Sequence, residues 1–181
     1  MKRFLAAALL ATTSIVSTGP AQSESVQFGP AYAGVIEAVV DGRRVPLERQ
    51  TATASFKTKA FGFGGGQANF EVAGPASRIR IRNEQKFFFI SRFSDRSLNP
   101  QSIFELYTMR VKKHARIIPY IAVGALGLGK AKDQSQDSKI PLVFEPFQKE
   151  FVKIQPASPI PPGEYFFTGQ EGLTGYAFGV D

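Results

Sequence analysis

Short β-branched and aromatic runs, each closed by Gly, Pro, Asn or Asp, recur along this chain at spacings of roughly 8 to 14 residues, and none carries a helical apolar stripe. Roughly eight to ten short strands can be placed in this way, the pattern of an all-β, antiparallel β-sandwich, with a small β-barrel as the alternative. The clearest signal is the run Val35-Ile36-Glu37-Ala38-Val39-Val40, then Asp41-Gly42, then Arg43-Arg44-Val45-Pro46-Leu47. Asp-Gly supplies the positive φ that a two-residue hairpin needs, so these runs form a hairpin. Pro46 cannot donate to a ladder, which places the second strand at an edge or makes it very short.

Further along, residues 51–59 alternate weakly, residues 61–66 are a glycine-rich connection, and residues 69–72 form a strand that ends at Gly74-Pro75. Arg78-Ile79-Arg80-Ile81-Arg82 alternates strictly, the period of a half-buried strand. Phe87-Phe88-Phe89-Ile90 is apolar on both faces and is expected at the centre of a sheet. Asn99-Pro100 has the form of a helix start. The stronger pattern sets Ile103, Tyr107, Met109 and Val111 against Arg110, Lys112, His114 and Arg116, which predicts one long strand. Residues 130–139 read as a polar loop; residues 140–144, 151–154, 163–167 and 176–180 read as strands.

The first 21 residues have the order of a secretory leader: a basic start at Lys2-Arg3, a short apolar run, then the small residues Gly19 and Ala21. A membrane-spanning helix needs ~20 apolar residues, and this run is interrupted by Thr12, Thr13 and Ser14. The expected arrangement is therefore a signal peptide, 1–21, cleaved before Gln22, and one domain, 22–181, exported to the periplasm or the cell exterior. The full chain carries 22 basic and 15 acidic residues. Lys2 and Arg3 leave with the leader, so the mature chain keeps a net charge of +5. That excess favours anionic surfaces.

Composition closes several chemistries. With no cysteine, the chain has no disulfide framework, thiolate metal site, cysteine nucleophile or acylated lipoprotein Cys. With one histidine, it has no multi-histidine metal site. Gly124 to Lys130 matches the phosphate-cradling G-x-x-x-x-G-K, but Ala131 stands where Ser or Thr would hold magnesium and a polar stretch replaces the following helix. Asp133, Ser135 and Asp137 have the opening spacing of a calcium loop, but Ser138 replaces its glycine and Phe144 its final carboxylate. No cofactor and no enzymatic activity are expected.

At Pro161-Pro162-Gly163-Glu164-Tyr165 the chain resembles the late hairpin of immunoglobulin-like and prealbumin-like modules of exported bacterial proteins. The resemblance implies a sandwich in which an exposed polar residue opens the strand and the tyrosine packs its ring with its hydroxyl in water. It implies no activity.

The remaining candidate site is a cationic plate. Arg78, Arg80 and Arg82 share one face of one predicted strand, and Arg110, Lys112, His114 and Arg116 share one face of another. Aligned in one sheet, they would bind anions. The expected partners are an envelope protein or an anionic polysaccharide or lipid surface. Nucleic acid is disfavoured, because no exposed aromatics interleave with the basic residues. The expected role is an exported, non-enzymatic binding or assembly module of the bacterial envelope. A small outer-membrane barrel is the alternative, and a carbohydrate-acting enzyme ranks third.

Overall fold

The Asp41-Gly42 turn adopts the left-handed backbone that its sequence demands, with φ of 48° and 79°, the signature of a tight hairpin. It joins β1 (Ile36–Val40) to β2 (Arg43–Pro46). The computed structural model describes residues 28–58, 65–93, 98–123, 132–148, 150–168 and 173–181. The expected leader (residues 1–21), residues 61–64 of the glycine-rich connection and the 124–130 motif lie outside them.

Two sheets, antiparallel but for one short pairing, make up the fold. The smaller has the order β12 (Leu142–Phe147), β13 (Phe151–Pro156), β7 (Phe87–Arg92), β1, β2. Pro46 is therefore on an edge strand and Phe87-Phe88-Phe89-Ile90 is in the middle, as expected. Phe89 points into the core, while Phe88, on the other face, meets Phe147 edge-on at 5.7 Å and lies 5.4 Å from Lys153 Nζ. That cover explains how the run can be apolar on both faces.

The larger sheet has the order β3 (Glu48–Thr51), β15 (Thr174–Val180), β14 (Gly163–Thr168), β8 (Glu105–Val111), β9 (Ala115–Val123), β5 (Gly66–Ala73), β4 (Thr53–Thr58). Its two outermost strands, β3 and β4, are separated in the chain by Ala52 alone. The sheet must therefore curl back towards itself, as a half-barrel. One extended stretch, residues 43–58, serves both sheets, with breaks at the buried residues Leu47 and Ala52. Such breaks divide single sequence runs, which is why fifteen strands appear among the described residues where eight to ten were expected.

Alternation along β14 and β15 gives two cores. Tyr165, Phe167 and Phe178 face the five-stranded sheet, where Phe89 lies 4.8 Å from Phe167 and 4.9 Å from Phe178 between ring centroids. Phe166 and Ala177 face inside the curl, with Val72, Met109, Tyr107 and Ile118.

Three local expectations are corrected. The predicted long strand over 103–116 turns back at residues 112–114, where Lys112 N–H donates to Ala115 O at 2.8 Å, so β8 and β9 form a hairpin. Lys113 is the one break in the polar–apolar alternation there, a lone polar residue in the odd-numbered apolar series from Met109 to Ile117, and it marks the turn, whose residues are all exposed. Asn99-Pro100 does cap a helical turn, a short 3-10 segment at Pro100–Ser102, with the Asn99 side chain accepting from Gln101 N–H at 3.0 Å. Of residues 78–82 only β6 (Arg80–Ile81) is a strand, parallel to β15. The backbone donors just before it go to side chains: Arg78 N–H to Glu48 and Ile79 N–H to Ser77 Oγ, both at 3.2 Å. Finally, the 130–139 loop is partly ordered: β10 (Lys132–Asp133) pairs with β9, and β11 (Lys139–Ile140) pairs with β8.

Candidate functional site

The two basic segments do meet, through the buried carboxylate of Glu164, which takes Arg116 from the interior and Arg80 from the exposed side. β9 carries Arg116, fully buried, into the curl. Its Nη2 donates to Ala73 O at 2.9 Å, Nε to Gly74 O at 3.2 Å, and Nη1 to Glu164 Oε2 at 3.3 Å, with Glu48 Oε2 3.8 Å from Nη2. Arg80 reaches the other oxygen of Glu164 through Nη1 and the Asp181 carboxylate through Nη2 and Nε. Ser77 closes the arrangement, its N–H donating to Glu164 and its hydroxyl to Glu48, each at 2.8 Å. The result is a line of alternating charge: Asp181, Arg80, Glu164, Arg116, Glu48.

Each charge in this line is answered. Burial pushes the Glu48 carboxyl up, but the hydrogen bonds from Ser77, Gln50 and Arg78 N–H and the Arg116 charge outweigh it and hold its pKa below the usual range. The Arg80 hydrogen bond likewise lowers Asp181, and Asp181 in turn raises Arg80. Gly179 makes the geometry possible, because a Cβ there would run into the Arg80 guanidinium. A buried network of this kind contributes little net stability, but breaking one partner strands a charge in a low-dielectric interior. With its oxygens engaged by Arg80, Arg116 and Ser77, Glu164 acts as a structural fastening.

The chain matches no protein-family model, no curated protein and no solved structure.

Of the seven plate residues, Arg116 is thus buried away from any surface, and Arg80, though exposed, is engaged by Glu164 and Asp181. Arg78 is almost fully exposed, with its Nε 3.9 Å from Glu48, and Arg82 is exposed, 3.6 Å from Glu84. Arg110, Lys112 and His114 are exposed together with Lys113 at the β8–β9 turn. In the sheet, β6 borders β15, and β14 stands between β15 and β8. The structure therefore groups Arg110, Lys112 and His114 and leaves Arg78 and Arg82 apart from them. Among the described residues no ion pair engages Arg110, Lys112, Lys113 or His114, although Lys112 is close enough to help lower the Glu71 carboxyl after the hydrogen bonds from Ser55 and Lys57.

Sequence reasoning missed Glu48, Ser77 and Glu164. The resemblance at residues 161–165 implies an exposed polar residue before the tyrosine, yet Glu164 is buried. Tyr165 is buried too, and its hydroxyl donates to Pro161 O at 2.6 Å rather than to water. The available signal was Glu164 standing directly before Tyr165-Phe166-Phe167, a lone charge at the head of an apolar run. The calcium-like spacing is also consumed locally: the Asp133 carboxylate accepts Ser135 N–H at 2.8 Å and the Ser135 hydroxyl at 2.6 Å.

Proposed function

We propose that this chain is an exported, non-enzymatic binding or assembly module of the bacterial cell envelope that engages anionic ligands through the basic turn between β8 and β9. The observation that carries this reading is the turn itself. Arg110, Val111, Lys112, Lys113 and His114 are five consecutive exposed residues at the end of a hairpin, three of them cationic, with Val111 56% exposed among them. A projecting cluster of long cationic side chains around an apolar residue suits a polyanionic surface, where each cation displaces a counterion and the apolar side chain adds contact area. The leader-like first 21 residues and the overall basic charge point the same way. The resemblance at residues 161–165 to modules of exported proteins belongs to the same reading. An outer-membrane barrel has less support, because Tyr165, Phe167 and Phe178 on the outer side of the curled sheet pack into a core shared with the second sheet.

The test compares the protein with a triple variant, Arg110→Ser, Lys112→Ser and Lys113→Ser, for binding to alginate and to phosphatidylcholine vesicles with and without phosphatidylglycerol. Arg80 and Arg116 stay untouched, since replacing them would perturb the fold. Binding that weakens from ~50 to ~200 mM salt and is lost in a folded triple variant supports the proposal. Equal binding by both proteins, or none by either, overturns it.

A further inference from the structure

The β8–β9 hairpin is paired only near its turn, at Arg110 with Ile117 and Val111 with Arg116. Beyond that the strands part, and the segment from β10 to β11 bridges the gap, pairing with β9 through Lys132 and Asp133 and with β8 through Lys139 and Ile140. Under this bridge the curled sheet encloses a cavity of about 350 Å³. It lies within the size range of small-molecule sites, and open barrel ends are a common place for them.

The walls divide by chemistry. Phe166 and Ile118, both buried, form an apolar base continuous with the inner core. Phe70 and Tyr120 form one side, their rings tilted at 4.9 Å, and Tyr120 is 41% exposed, a large ring open to an incoming ligand. Opposite them is Glu105, the one charged residue of the lining, which takes Lys139 Nζ on one oxygen and the Tyr107 hydroxyl on the other, each at 2.6 Å. Lys139 cancels its charge, so the lining selects for neither ionic sign. A carboxylate oxygen accepts two hydrogen bonds, so each Glu105 oxygen retains a lone pair for a ligand donor. Thr168 and Ser135 also line the space, their hydroxyls donating to Glu105 O and to Asp133.

From this pairing of aromatic faces with neutralised hydrogen-bonding groups, we infer that the cavity binds a neutral polyhydroxylated ligand of mono- or disaccharide size. Such a ligand lays a C–H face on Tyr120 and Phe70 and gives hydroxyl hydrogens to Glu105. A fatty acyl chain fits less well, since it would cover the Glu105 carboxylate without offering it a hydrogen-bond donor. This site is separate from the basic turn and does not depend on it.

The chain has no tryptophan and five tyrosines, of which Tyr107 and Tyr120 line the cavity, so tyrosine emission reports on its occupancy. The experiment titrates the protein with glucose, N-acetylglucosamine, maltose and decanoate, following tyrosine emission and measuring affinity by ligand-observed NMR. The expected result is saturable binding of at least one saccharide, weakened about tenfold in Tyr120→Ala and also weakened in Glu105→Gln. The triple variant of the basic turn should bind that saccharide as the unmodified protein does. Tyr120 is exposed, so its replacement tests binding without threatening the fold. No saturable saccharide binding, saccharide binding unchanged in both cavity variants, or saturation by decanoate alone would each overturn the inference.

Discussion

On β14, Tyr165 and Phe167 face one core while Glu164 and Phe166, their immediate neighbours, face the other. The first core, between the sheets, is a cluster of rings and aliphatic side chains around Phe89, and apart from its tyrosines its positions are satisfied by shape alone. The second, inside the curl, begins with the line of alternating charge, continues through Phe166, Val72 and Met109, and opens into a cavity. A core of the first kind tolerates exchange of apolar groups of similar volume, whereas one of the second kind depends on each partner being present. The strand alternation is identical in both, so the difference lies in which side chains arrive from elsewhere in the chain.

The largest effect that would test this contrast is Arg116→Met. It keeps length and apolar bulk but leaves Glu164 and Glu48 without their buried cation, and should cost about 3–5 kcal/mol in chemical denaturation. Adding Glu164→Gln should return part of that loss, since one stranded charge is removed. Fully additive losses would show that the charges are not coupled, and the line would then be no network. In the other core, Phe89→Leu should cost only about 1–1.5 kcal/mol, although Phe89 is equally buried. A Phe89→Leu loss as large as that of Arg116→Met would erase the distinction.

The same contrast explains what could be read in the sequence. The first hairpin was legible because Asp41 and Gly42 must supply positive φ wherever the chain folds. The edge position of β2 followed from Pro46 and the central position of β7 from an apolar run on both faces, each a local consequence of side-chain chemistry. The β8–β9 turn was barely legible, because Arg110, Lys112, His114 and Arg116 keep one parity across it and no Gly, Pro, Asn or Asp marks it; Lys113, polar in the apolar series, is the only local sign. The burial of Arg116 was not legible at all, nor was the pairing of the exposed Arg80 with Glu164 and Asp181. Twofold alternation says which residues share a side, never which side is wet. The carboxylates that decide it, Glu48 and Glu164, lie tens of residues away and meet these arginines only after the sheet has curled. The basic plate was therefore half legible: Arg110, Lys112 and His114 are exposed together, whereas Arg116 is buried and Arg80 is tied to Glu164 and Asp181.

Acidity gives the smallest effect and separates the cores without any large substitution. The Glu48 carboxyl is held below its usual value by its hydrogen bonds and by Arg116, against burial, and Glu105 is lowered in the same way, with Lys139 and Tyr107 outweighing burial. A lowered folded-state value means that the unfolded chain takes up the proton first as pH falls. The stabilisation is therefore complete above the ordinary glutamate value of about 4.3, and is lost as pH drops below it and through the lower folded values. Glu48 and Glu105 both belong to the curled sheet, on β3 and β8, so acid should act chiefly there. Thermal melts between pH 7 and 3 should show the midpoint level to about pH 5 and then falling by several degrees. Glu48→Gln should start lower at pH 7 and fall less steeply. A pH slope unchanged by Glu48→Gln would show that the acid sensitivity arises elsewhere, and that the charged line does not bear on stability as its geometry indicates.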